Sequence, residues 1–306
     1  CVWWWCSWGL LVGFCEERAS LDECDASVGF SDAGGSRFLD RVGGVDVRVD
    51  RVGEGPPTVF LNGLLGKNEH WFRTLPALVD TAECYFIQAP LLEMRGTGCS
   101  VSGVTQLTLA LLESMVDEPA VLVGNSLGGH VALRMAIARP ELVRGLVLVG
   151  SSGLFERSLE KDVQHSPSVE WLERKIGELF YDRGRMWPGM VEEAYSSLSR
   201  RTAARALVRL GRSAKRDHLG EELPGVETPT LLAWGRQDTV TPPEVAEQFA
   251  ELLPNSELRW IDRCGHAPQI ERGEELGGLI REFVERLASG SGLSSGGGSK
   301  GQQGVA

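Results

Sequence analysis

A serine, an aspartate and a histidine stand in this chain in an order and setting that suit nucleophilic attack on a carbonyl. The run Gly124-Asn125-Ser126-Leu127-Gly128-Gly129 follows the apolar burst Ala120–Val123 and opens the helical stretch HVALRMAIA. A serine on so sharp a strand-to-helix turn is pushed out above the sheet, with glycines where the crowded backbones leave no room for side chains. The start of the helix then aims free N–H groups at charge that develops beside the serine. In a chain with 38 glycines the five-residue pattern says little by itself; its place between a strand and a helix gives it weight. The competing reading is an ordinary tight turn after a strand.

A serine hydroxyl needs a base. The chain has five histidines, at positions 70, 130, 165, 218 and 266. His130 lies four residues beyond Ser126 on the same helix and is expected to pack or face away. His165 and His218 fall in a helical insertion. His266 follows the strand-like Glu257–Ile261 on a loop, where α/β sheets gather their sites. The acid that orients it is expected to be Asp238, three residues past the strand TLLAW (Thr230–Trp234) and its Gly235. Asp262 competes, but a capping or turn role suits its position close to the strand end. Two N–H donors complete an oxyanion hole. Leu127 supplies one, and the loop Asn62-Gly63-Leu64-Leu65-Gly66 the other, with Leu64 N–H as the choice because Gly63 permits close approach; an ordinary glycine turn is the alternative there.

These residues need a scaffold. Thr58–Asn62, Cys84–Gln88, Ala120–Val123, Leu146–Val149 and Thr230–Trp234 are short apolar bursts, as in strands covered on both faces. Val45–Arg51 alternates apolar and charged residues, as an exposed or edge strand would. Helical stretches lie at Thr105–Val116, Leu127–Ala138, Pro243–Leu253 and Glu274–Leu287. The alternation predicts an α/β fold, with a mainly parallel sheet and helices on both faces. From Leu154 to Leu223 no strand is evident. Ser168 can cap one helix, and Pro188–Leu198 and Thr202–Leu210 read as others. A helical insertion at about 153–223 is a candidate lid.

The chain has 306 residues, 42% of them hydrophobic, and a formal charge of −11. A large core is feasible and global disorder is excluded. No basic stripe stands out, so nucleic acid is not an expected partner. Seven cysteines without a CxxC pair give a zinc site little support, and those in the body of the chain, Cys84, Cys99 and Cys264, read as reduced structural thiols. Residues 1–36 are expected to be poorly ordered, comprising the apolar, Trp-rich run Val2–Phe14 and a polar linker, Ala19–Ser36. The apolar run is too short to span a bilayer and has no positively charged segment before it. The segment reads as a truncated start or a gene-calling artefact; the expected location is the cytoplasm, while a signal remnant in residues 1–15 would imply export or tethering. Residues 289–306, rich in Gly and Ser, read as a disordered tail. Oligomeric state stays open.

The pieces LNGLLGKNEHW (61–71), VLVGNSLGGHVALRMA (121–136), WGRQDTVTPPEVAEQF (234–249) and RCGHAPQIE (263–271) resemble the α/β-hydrolase superfamily. The resemblance covers residues 37–288. It implies an eight-stranded sheet, a helical cap after the sixth strand, no cofactor and no metal, with Gly63, Asn125 and Trp71 beside the substrate. The superfamily usually has His-Gly where this chain has Asn62-Gly63, and the stretch from Gln88 to Ser100 departs from its Asp-x-x-Gly-x-Gly-x-Ser pattern. Gly-Asn-Ser with a helical cap resembles the carbon–carbon bond hydrolases that cleave vinylogous diketones. Those enzymes carry a tryptophan where this chain has Ala267, and a cap arginine where it has Tyr195, with Arg200 and Arg201 nearby. Ser126 argues against the aspartate-nucleophile dehalogenases and epoxide hydrolases. The expected activity is hydrolysis of a carboxylic ester or thioester, a small-molecule acyl substrate. Carbon–carbon cleavage is one alternative, and a catalytically silent binding protein another.

Overall fold

Three segments of the chain, Pro57–Leu61, Ala120–Asn125 and Thr230–Gly235, are buried at every residue. Such segments suit only strands inside a sheet that is covered on both faces. The computed structural model describes residues 30–31, 33–155, 167–186 and 189–290. It contains one eight-stranded sheet in the order β1-β2-β4-β3-β5-β6-β7-β8. The strands are β1 (Ser36–Val42), β2 (Val45–Val52), β3 (Pro57–Leu61), β4 (Glu83–Gln88), β5 (Ala120–Asn125), β6 (Val143–Val149), β7 (Thr230–Gly235) and β8 (Ser256–Ile261). β2 pairs antiparallel with β1 and β4; the remaining pairings are parallel.

Residues along each central strand alternate between two cores. Leu122, Leu148 and Trp234 point to one face, among side chains of the helices α1 (Val101–Met115), α2 (Leu127–Ala138) and α6 (Pro243–Leu252). Val123, Val149 and Ala233 point to the other. There a 3₁₀ helix over Asn68–Ala77 and α8 (Gly273–Ala288) supply Trp71, Phe72, Leu276 and Phe283. The 3₁₀ helix has no counterpart in the sequence reading: Pro76 and a turn-rich start hide its periodicity.

Val45–Arg51 was expected to be exposed or at an edge. It forms part of β2, which has partners on both sides, and Val47 and Val49 are fully buried. The edge is β1, whose Phe38 and Leu39 remain exposed. β1 begins at Ser36, the last residue assigned to the linker.

Between β6 and β7 lie α3 (Val169–Gly177), α4 (Met190–Leu198) and α5 (Arg201–Arg216), with no strand among the described residues. Ser168 Oγ accepts from Trp171 N at 3.2 Å and so caps α3. α5 runs six residues beyond the expected Leu210. A short helix, α7 (Pro268–Glu271), follows the loop of His266. Residues 1–29, with the apolar run, residues 156–166 with His165, and residues 291–306 fall outside the described residues. No helix among the described residues is long and apolar enough to cross a membrane.

Candidate active site

The carboxyl ends of β3, β5, β6, β7 and β8 converge on one edge of the sheet, where parallel α/β folds place their sites. Ser126 stands at the β5–α2 turn with φ 53° and ψ −118°, a backbone conformation that non-glycine residues rarely adopt. The turn is pinned by its own backbone. Ser126 N donates to Val149 O at 3.1 Å, and Ser126 O accepts from Gly129 N, His130 N and Ser152 N at 3.0–3.2 Å. Glycine is required on both sides. A Cβ at Gly124 would lie 2.4 Å from Gly128 backbone, and one at Gly128 would lie 2.1 Å from Leu61 O.

His266 is held from several sides. Its Nδ1 lies 2.8 Å from Asp238 Oδ2. Its N–H donates to Leu179 O at 2.7 Å, and its carbonyl accepts from Asn125 Nδ2 at 3.1 Å. Both side chains are buried, at 7% exposure for His266 and 0% for Asp238. Asp238 Oδ1 accepts from Val240 N at 2.8 Å and Thr241 N at 3.0 Å, and Thr241 Oγ1 lies 2.9 Å from Oδ2. Gly150, at the end of β6, lies beneath this pair: a Cβ there would be 3.0 Å from Asp238 Oδ2 and 3.1 Å from His266 Nδ1. Asp262 takes no part. Its carboxylate is on the surface, 2.6 Å from Arg236 Nε.

At the end of β3, Gly63 packs directly on the Ser126 turn, where a Cβ would lie 3.2 Å from Ser126 Cβ and from Asn125 O. Leu127 N–H heads α2 and has no acceptor inside the helix. Asn62 sits where the superfamily has histidine, and its amide ties the loop inward. Nδ2 donates to Asn68 Oδ1 at 2.8 Å and Ile87 O at 3.0 Å, while Oδ1 accepts from Trp71 Nε1 at 2.9 Å.

Trp71 is placed differently from expectation. It is 1% exposed, packs edge-on against Phe60 and props the Asn62 loop from behind, so it offers almost no surface to a substrate. The indole N–H found its partner within the loop, which allowed the ring to enter the core. Asn125 borders the turn, but its amide is committed to Val149 O at 2.9 Å, His266 O and Gln269 Nε2 at 3.1 Å.

Two residues went unnoticed in the sequence. Thr241 braces Asp238. Glu271, 3% exposed, accepts from Gly265 N at 2.6 Å, Asp182 N at 3.0 Å and Tyr181 N at 3.2 Å. It thereby joins the histidine loop to the segment after α3. The available signal was an acid five residues beyond His266, within RCGHAPQIE. Of the other histidines, His130 is fully buried, with Nε2 3.3 Å from Asp217 Oδ2 and Nδ1 3.4 Å from Ser152 Oγ. His218 is exposed, and burial pushes the His70 imidazole down to about 3.

The chain is similar to known proteins. The chain is 26% identical over 243 residues to the uncharacterized hydrolase YugF of Bacillus subtilis, covering 74% of this chain and 89% of that one. It is 27% identical over 286 residues to a 2-hydroxy-6-oxononadienedioate/2-hydroxy-6-oxononatrienedioate hydrolase of Paraburkholderia phymatum, covering 84% and 98%. Among solved structures, the α/β hydrolase MGS-MChE2, from a metagenome of lagoon sediments at Mar Chica, Morocco, is 31% identical with a TM-score of 0.63, covering 82% of this chain and 99% of that one. Residues 58–277 match the alpha/beta hydrolase family, and with the sheet order and the turn at Ser126 this places the chain in that family.

Proposed function

We propose that this hydrolase cleaves a carboxylic ester or thioester through an acyl-enzyme. Ser126 is the nucleophile, His266 the base and Asp238 the acid that fixes the imidazole tautomer. The observation that carries the reading is the combination of a strained serine at the strand–helix turn with a buried His266–Asp238 pair on the neighbouring strand ends. His266 takes the hydroxyl proton as Ser126 attacks the carbonyl carbon. The N–H groups of Leu127 and Leu64 hold the developing oxyanion. The imidazolium then protonates the leaving group, and water repeats the cycle to release the acid.

The helices between β6 and β7 act as a cap in this reading. Leu172, Ile176 and Leu198 belong to one apolar cluster with Ala267 and Ile270, and Leu65, Leu92 and Met190 pack against it. An apolar acyl group suits these surroundings.

Carbon–carbon cleavage is the second reading, favoured by the name of the Paraburkholderia relative. An anionic dienoate needs a cation beside it. Arg200, near the position where a cap arginine is expected, is exposed and lies 3.6 Å from Glu93. This favours the ester.

Ser126→Ala tests the nucleophile. It should abolish turnover of a short p-nitrophenyl ester and labelling by a fluorophosphonate, and retained turnover would remove the serine from the mechanism. Loss of colour from a dienol ketone, with no ester turnover, would select the second reading. A wild-type protein inert to the fluorophosphonate would be a silent family member.

A further inference from the structure

The chain carries a net charge of −11, yet one groove is strongly basic. It lies outside the Ser126 site, between α5 and α1 and beside the loop at Arg95, with a volume of about 1320 Å³. Arg205, Arg209, Arg212 and Arg216 follow one another at spacings of four, three and four residues, which places them on one face of α5. All four are exposed and line the groove. Arg205, Arg212 and Arg216 have no carboxylate partner among the described residues. Arg209 Nη1 donates only to Gly96 O, at 3.3 Å, and Arg95 Nη1 to Leu92 O and Met94 O. Asp217, the one acid among the described residues that line the groove, is already engaged by Arg134 and lies 3.3 Å from His130. Five guanidinium groups therefore line a shared space with no carboxylate partner among the described residues, which gives the groove a positive field that favours an anionic ligand.

The rest of the lining narrows the class of anion. Among the described residues no aromatic side chain lines the groove, so they offer no stacking platform of the kind that single-stranded nucleic acid uses. The large exposed apolar side chains among the described residues lie elsewhere, so nothing there would enter a lipid surface. The wall from α1 offers Ser102 and Gln106, exposed and with no hydrogen-bond partner among the described residues, and the floor includes Leu109 and Val208. A peptide uses all three features: carboxylates for the arginines, main-chain amides for Ser102 and Gln106, and apolar side chains for the floor. A bare polyphosphate uses only the first.

We infer that this groove docks an acidic segment of a partner protein in extended conformation. From Arg205 to Arg216 the stripe runs about 16 Å at ~1.5 Å per residue. That is the length of about five residues of extended peptide, on which alternate side chains share a face.

The test is fluorescence anisotropy with a labelled peptide alternating Glu and Val over about six residues, at ~50 mM salt, where charges are weakly screened. The full chain should bind it, and affinity should fall as salt rises. Arg205→Glu with Arg212→Glu should weaken binding by at least about tenfold while ester turnover and circular dichroism stay unchanged. The peptide with Gln in place of Glu should not bind. The inference is overturned if the wild-type chain does not bind, or if the double variant, correctly folded, binds as tightly. Inorganic polyphosphate or phosphatidylserine vesicles bound in preference to the peptide would also overturn it. Ester turnover reports on Ser126 separately, so failure here leaves the catalytic reading intact.

Discussion

Asp238 meets His266 through Oδ2 at 2.8 Å, and three further donors from Val240 and Thr241 fix the same carboxylate. The acid is thus oriented before the imidazole reaches it. In Asp238→Asn the new amide would donate toward Nδ1 and favour the wrong tautomer. Turnover of the ester should fall by about 10⁴-fold, as in serine triads generally, with circular dichroism unchanged. A fall below about tenfold would assign the histidine a different partner.

The strain at Ser126 yields a separation of stability from function. Its φ of 53° lies where glycine is at ease, and its side chain makes no capping bond. Ser126→Gly should be inactive and more stable by about 1 kcal/mol. Urea unfolding followed by tryptophan fluorescence checks this, and a less stable variant would show that the turn is not strained.

Glu271 tests the join between the histidine loop and the segment after α3. Glu271→Ala strands the N–H groups of Gly265, Tyr181 and Asp182, and should cost about 3 kcal/mol of stability. Turnover should fall with it, because His266 follows Gly265 directly. A change under about 1 kcal/mol in urea unfolding would show that water replaces the carboxylate without loss.

Acid stability should depend on Asp217. The His130 imidazole, with Nε2 3.3 Å away, and the hydrogen-bonded Arg134 hold its carboxyl well below the usual carboxylate range. A folded-state value below the unfolded one stabilises the fold above the ordinary carboxylate range, and that contribution is lost as pH falls through the lowered value. In Asp217→Asn the decline of stability below about pH 4 should be shallower than in wild type. Parallel acid limbs in pH-dependent urea unfolding would contradict it.

Much of this was legible in the chain itself, wherever chemistry and local geometry coincide. Ser126 announced itself because a strand–turn–helix with glycines at 124 and 128 is a local constraint, written in adjacent residues. The central strands were readable because burial on both faces leaves an unbroken apolar run. Asp238 and His266 were readable through their positions just past strand ends. β1 was not, since Phe38 and Leu39 on an edge carry no pattern of burial. Nor was the basic groove: the notion of no basic stripe came from the summed charge, and the stripe exists only when α5 winds its arginines onto one face.

The amino-acid order by itself determined the fold class, the strand–turn–helix at Ser126 and the order of the proposed acid and base along the chain, because each depends on neighbours in sequence. Tertiary structure alone decided which acid faces His266, that Trp71 supports a loop from within the core, and that Glu271 gathers amides from two distant segments. Those outcomes depend on which groups end up within about 3 Å of one another, and that is settled only when the strands align and their loops pack together.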